Sequence, residues 1–151
     1  MTITNVVKHI HPITKEAAIS VASNLRSDDY IELTEGYGKS PEELPLLALQ
    51  SDSYYYKTPD GKIAAMGGFD NDRRIWMLCT PIIEERPYTF AKVCVNLLNS
   101  RSENLLWNIV DKRNKTHLKL LKFLGFKFLR EIKHGPHNLP FIEFCRIKSN
   151  F

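Results

Sequence analysis

A small set of side chains in this chain has the chemistry to move protons or hold a carbonyl. Glu32 and Glu35 stand in a polar stretch, and either can take a proton from an amine, directly or through water. The other reading of both is a solvated loop carboxylate. His117 falls on the first turn of a basic helix, where an imidazole serves as acid or base near neutral pH. Its alternative is a partly exposed helix histidine. Asn114 precedes that helix. Its amide either bonds a ligand or caps the helix before Thr116. Asn108 sits inside an apolar strand, where asparagine is disfavoured, so it needs a specific partner, structural or substrate. Cys79 ends another apolar strand. A nucleophilic role needs a base beside it, and the sequence shows none, so a core thiol is the simpler reading.

The elements that position these groups follow from pattern. Apolar residues at helical spacing predict a helix over 13–26, which Arg26-Ser27-Asp28-Asp29 breaks. Ser40-Pro41-Glu42-Glu43 predicts a capped helix start, with the helix running over 41–50. Strands are predicted at 54–57 and 62–69, joined by Thr58-Pro59-Asp60-Gly61, where proline fixes φ and glycine takes the left-handed position. A third strand covers 74–80, a connector 81–87, and an amphipathic helix 88–100. A strand at 105–110, a helix at 116–124 stopped by Gly125, and strands at 126–133 and 140–147 complete the order. An opening strand is placed at 3–10. Antiparallel hairpins leading into a β-α-β-α unit predict an α/β fold with a mixed, mostly antiparallel central sheet.

The length of 151 residues suits one domain, and 43% hydrophobic with 25% charged residues is ordinary for a soluble globular protein. No apolar run reaches the roughly 18 residues of a membrane span, and the first residues lack a secretory pattern. Cys79, Cys94 and Cys145 are dispersed and flanked by apolar residues. They read as reduced thiols, with no metal-ligand spacing among them. The net charge of +4 gathers partly in Lys112, Arg113, Lys115, Lys119 and Lys122. That cluster reads as a solvated helix face, with attraction of an anionic cofactor or nucleic acid as the alternatives.

Val110 and Asn114 in a V-x-x-x-N spacing, followed by Leu121 and Gly125-Phe126, resemble the acyl-CoA-binding half of the GNAT acyltransferases. Asn24 to Asp29, Asp60 to Gly68, and Ile75 to Thr80 extend the resemblance over the chain. In particular it resembles a group of small GNAT-like bacteriophage proteins, some of them internal virion or assembly proteins. The resemblance implies helices on both faces of the sheet, and parallel strands 75–80 and 105–110 that splay apart at their C-terminal ends. It implies that Leu78, Cys79 and Thr80, with Asn108 and Asn114, hold an acyl cofactor, acetyl-CoA, beside a small-molecule or protein amine. Strand-end amides near Leu78 and Cys79 would face the reacting carbonyl, with Glu32 and His117 as the proton-handling pair. Two departures stand out. The stretch 81–87 has no glycine for a diphosphate loop and carries Glu84 and Glu85, which implies weak acetyl-CoA binding; Leu121 stands where the family has its usual tyrosine and cannot act as the acid. The rival implication is a non-catalytic phage protein with virion or host partners, located in host cytoplasm or virion.

Overall fold

The structure, a computed structural model, describes residues 7–148. The chain runs β1 (Ile10–Pro12), α1 (Lys15–Ala22), α2 (Ser27–Ile31), α3 (Leu44–Leu49), β2 (Asp52–Lys57), β3 (Ile63–Phe69), β4 (Ile75–Cys79), α4 (Pro87–Ser100), β5 (Leu105–Asp111), α5 (Lys115–Phe123), β6 (Lys127–His134) and β7 (Leu139–Ile147). β1 to β4 form one antiparallel sheet in the order β1-β2-β3-β4, and β5 to β7 another in the order β5-β7-β6. The two meet at one parallel bridge between Arg74 and Trp107. This is the mixed, mostly antiparallel α/β architecture that the pattern predicts.

Alternation along the strands sorts the helices into two layers. Met66, Trp76 and Leu78 face α1 and α3, packing with Ala18, Val21, Leu33, Leu44 and Ala48. Ala65, Met77 and Cys79 face the other way, onto Phe90 and Val93 of α4 and Leu120 of α5. A third cluster joins Leu98 of α4 to Phe126 and Phe144 under α5.

Three local features depart from the pattern. First, β1 begins at Ile10, later than the strand placed at 3–10, whose residues 3–6 lie outside the described part. Second, α1 ends at Ala22 and not at Arg26; Asn24 Nδ2 bonds back to the Ser20 carbonyl, and Arg26 is extended (φ −55°, ψ 150°). Third, the polar stretch after Arg26 is helical. α2 continues as a π-helical turn, Glu32–Gly36, closed by Tyr37 N–H donating to the Glu32 carbonyl at 3.1 Å. A π turn widens the helix and re-aims its side chains.

Tertiary packing holds that turn. Tyr37, His134 and Phe141 pack edge to face, with centroids 4.9 to 5.5 Å apart. Gly135, at φ 78°, lies so close that a Cβ on it would overlap the Gly36 carbonyl oxygen. The β6–β7 hairpin therefore fixes the height at which Glu32 meets the sheet. The helix expected over 41–50 begins as a 3-10 turn, Pro41–Glu43, with the Ser40 amide donating to Glu43 Oε2 at 2.8 Å.

Candidate functional site at the gap between β4 and β5

Beyond the Arg74–Trp107 bridge, β4 and β5 diverge. Trp107 N–H donates to the Arg73 carbonyl at 3.1 Å, the last direct backbone link. The strands were expected to lie side by side, parallel, and to diverge at their C-terminal ends; backbone pairing between them is limited to the N-terminal end, and the one bridge is parallel. One step on, the Asn108 side chain takes over. Its Nδ2 donates to the Ile75 carbonyl at 2.8 Å, and its Oδ1 accepts the Ile109 amide at 2.8 Å. This asparagine has its specific partner, and the partner is structural.

At the far end the gap is bridged by the chain itself. Arg26 N–H donates to the Cys79 carbonyl at 2.9 Å, and Asp29 Oδ2 accepts the Cys79 amide at 2.6 Å. Residues 26–29 thus satisfy the β4 edge as a neighbouring strand would. On β5, Glu32 Oε1 accepts the Asp111 amide at 3.0 Å. Thr80 N–H bonds the Ala64 carbonyl at 2.9 Å on the β3 side. Alternation then turns the Leu78 amide toward β3 and the Met77 amide and carbonyl into the gap. The strand-end amides expected to face a ligand were those of Leu78 and Cys79. Leu78 faces away, Cys79 is bonded to Asp29, and Met77 takes the gap-facing place. Thr80 is spent too: its hydroxyl bonds the Ala64 carbonyl and accepts the Ile82 amide.

Between the strand ends lies a buried polar cluster. Arg26, Asp29, Asn114 and His117 are 4%, 1%, 1% and 7% exposed. Arg26 Nη1 lies 2.8 Å from Asp29 Oδ1, and Arg26 Nε donates to Glu84 at 2.9 Å. Asn114 holds the N-cap position of α5, yet its side chain caps nothing. Its Nδ2 donates to Asp29 Oδ1 at 2.9 Å and to Glu32 Oε1 at 3.3 Å. His117 Nε2 is 3.3 Å from Asp29 Oδ1, close enough for charge attraction but off the axis of a hydrogen bond, so this buried nitrogen has no bonded partner.

The cluster sets the charges. Burial pushes the Glu32 carboxyl up to about 7 and the charge of Asp29 adds to that; the His117 charge and the bonds from the Asp111 amide and Asn114 only partly offset it. Burial also acts to raise Asp29, but His117, Asn114 and the Cys79 amide together hold it below the usual carboxylate range. The Cys79 thiol is raised well above its ordinary value, by burial first and then by the Asp29 charge, so it is no nucleophile. Asp29, Cys79 and His117 bring donor atoms within 4.8 Å of one another. A metal there would compete with the Arg26 guanidinium for a carboxylate whose oxygens already accept from Arg26, Asn114 and Cys79.

Glu32 and His117 both line a cavity of about 570 Å³ that includes residues from both faces of the sheet. Glu32 arrives from the layer of α1 to α3 and His117 from α5. The remaining lining is mostly apolar, including Leu44, Leu47 and Trp76 on one side and Phe90, Leu97 and Leu121 on the other. Such a volume suits a small-molecule site. His117 and Leu121 stand one helical turn apart on the same face. Glu35 is not in this lining; it pairs with Arg113 at 2.9 Å.

The connector before α4 forms a 3-10 turn, Pro81–Glu84, capped by Thr80. Its two carboxylates are neutralised, Glu84 by Arg26 at 2.9 Å and Glu85 by Lys62 at 3.4 Å. No glycine opens a cradle of backbone amides in this connector, so it lacks the backbone anion seat of a glycine-rich diphosphate loop. Arg26 and Asp29 went unassigned in the sequence reading. Their signal was the i, i+3 spacing of opposite charges in Asn24-Leu25-Arg26-Ser27-Asp28-Asp29, at the point where a helix was expected to break.

Neither a protein-family model nor a curated protein matches the sequence. Solved structures do. A GNAT-family acetyltransferase from Bacillus anthracis aligns with TM-score 0.69 at 10% identity, covering 91% of this chain and 93% of that one. A spermidine N-acetyltransferase from Vibrio cholerae, solved with CoA and spermine, gives 0.68 at 10% identity over 93% and 95%. The ribosomal-protein-S5-alanine acetyltransferase from Vibrio fischeri gives 0.65 at 13% identity over 95% of each chain. With the splayed β4 and β5 and the helix layers on both faces, the chain has the fold of the GNAT acetyltransferases.

Proposed function

We propose that this chain is an N-acyltransferase that takes an acyl group from an acyl-CoA thioester, acetyl-CoA being the simplest, and places it on a primary amine. The observation that carries the reading is the single cavity that Glu32 reaches from one helix layer and His117 from the other. The donor supplies an activated acyl carbon. Glu32, ionised above about pH 7, takes the proton that the amine loses as its nitrogen bonds that carbon. The Met77 amide faces the carbonyl oxygen as negative charge builds on it. The His117 imidazole gives a proton to the departing sulfur as the carbon–sulfur bond breaks, standing one turn before Leu121, which has no proton to give. Asp29 holds His117 by charge at 3.3 Å. Asn114 bridges Asp29 and Glu32 by donating to both.

The test is release of free CoA thiol from acetyl-CoA in the presence of primary amines. Glu32→Gln should lower the rate about 100-fold or more, and His117→Asn about 10-fold to 100-fold. Amine-dependent release that survives both changes overturns the assignment of roles.

One observation favours a second reading. Cys79, the residue at the strand end expected to anchor the cofactor, is already bonded on both its amide and carbonyl by residues 26–29. A non-catalytic accessory protein, phage-encoded as the sequence resemblance implies, has reason to keep that edge closed. Absence of any acetyl-CoA binding would favour it.

A further inference from the structure

The cavity's half on the α1 to α3 side says which amine it takes. We infer that the acceptor is an apolar primary amine carrying one positive charge, an aryl or alkyl monoamine, seated between the π turn and α3 with its nitrogen at Glu32; this rests on the acyl-transfer reading above. Glu32 is the one carboxylate in the lining with no ion pair to a Lys or Arg among the described residues. The other, Asp70, is held by Arg74 at 3.0 Å. Glu35, on the same π turn, is taken by Arg113. The remaining charge in this half is Lys39, exposed, with no ion pair among the described residues. A second ammonium on the acceptor would therefore meet Lys39, and the other carboxylate of the lining, Asp70, already holds Arg74, which also pairs with Asp72 at 3.0 Å. The body of the pocket is Leu44, Leu47, Tyr55 and Trp76. Leu47 is 41% exposed, so this wall reaches solvent. Burying an aryl or alkyl group against it is favourable, and burying a second charge is not.

The inference and the acyl-transfer reading separate in one set of measurements. Calorimetry on the full chain at pH 8.5, where Glu32 is ionised, compares 2-phenylethylamine with spermidine. The expected result is at least tenfold tighter binding of 2-phenylethylamine, lost in Glu32→Gln. Leu47→Asp, which adds a carboxylate to the wall, should narrow or reverse the preference. Leu49→Asp, outside the lining, should leave it unchanged. Equal or tighter binding of spermidine, no binding of 2-phenylethylamine, or a preference indifferent to Glu32→Gln overturns the inference. Binding of 2-phenylethylamine without acetyl transfer to it overturns the acyl-transfer reading and leaves the amine class standing. Acetyl transfer to spermidine in preference to 2-phenylethylamine does the reverse.

Discussion

Asp29 and Cys79 are 50 residues apart in the chain, and the carboxylate of one accepts the backbone amide of the other at 2.6 Å. With the Arg26 amide on the Cys79 carbonyl, this gives β4 a partner along the edge that the splay would leave bare. The same contact does two things that pull against each other. It satisfies buried backbone groups, which stabilises the fold. It also fills hydrogen-bonding positions that an extended ligand arm would use as a strand does.

Breaking the Asp29 contact should show its structural share. Asp29→Ala leaves the Cys79 amide without an acceptor and takes from Arg26 and Asn114 one of the acceptors each has, in a buried site. The expected loss is about 3–5 kcal/mol in urea unfolding, the range for removing one partner of a buried ion pair. Asp29→Asn keeps an acceptor oxygen for Cys79 and should cost clearly less. Equal costs for the two variants would show that the charge, and not the amide bond, is what the site needs.

Glu32 sets a pH dependence of definite sign. Its folded value, about 7, lies above its ordinary 4.5, so the folded state binds more protons than the unfolded state between these values. Stability therefore falls as pH rises through that window, by about 3 kcal/mol at most. Asp29 acts in the opposite sense and lower down. Its folded value is depressed, so its contribution is present above the ordinary Asp range and is lost as pH falls through the folded value. In Glu32→Gln the slope between pH 4.5 and 7 should vanish, since the Gln carbonyl can still accept from Asp111 and Asn114. A slope that persists in this variant would assign it to another group.

The hairpins from β2 to β4 and the later β-α-β-α order were legible because turn residues and apolar runs are local signals. Asp60-Gly61 and Gly125 mark their turns without help from the rest of the chain. The π turn was not legible. Its stretch is acidic and weakly patterned, and it is held by bonds from Asp29 and Glu32 to strand ends 50 and 79 residues away. The strand-end amides were misplaced by one residue for a related reason. Whether Met77 or Leu78 faces the gap depends on register with β3, and a shift of one residue exchanges them.

Asn114 distinguishes a cap from a buried donor by the order of two substitutions. A capping asparagine tolerates aspartate, since both accept a backbone amide. Here the side chain is a donor to Asp29 and Glu32. Asn114→Ala should cost about 1–3 kcal/mol by leaving those acceptors short. Asn114→Asp should cost more than alanine, because it sets a third carboxylate against two. Thermal or urea unfolding of the three proteins decides it. An aspartate variant as stable as wild type would return Asn114 to the role of a cap.

Position 121 offers a gain of function. Leu121 and His117 both line the cavity, one turn apart, and the proposed reaction routes the thiolate's proton through His117 because Leu121 has none. Leu121→Tyr places a phenol on the same face of α5. It should raise kcat for acetyl transfer by about 10-fold or more, within the range for a positioned general acid. The pairing with His117 makes the test specific. In the wild-type background His117→Asn should lower kcat about 10-fold to 100-fold, and in the Leu121→Tyr background it should lower it much less, because the phenol substitutes for the imidazole. If His117 acts only by packing, the two changes will add independently, and His117→Asn will cost the same in both backgrounds. Steady-state kinetics of the four proteins, with kcat and KM resolved, separates these outcomes. A lone rise in KM would point to crowding of the cavity by the new ring and would count against the acid role of position 121.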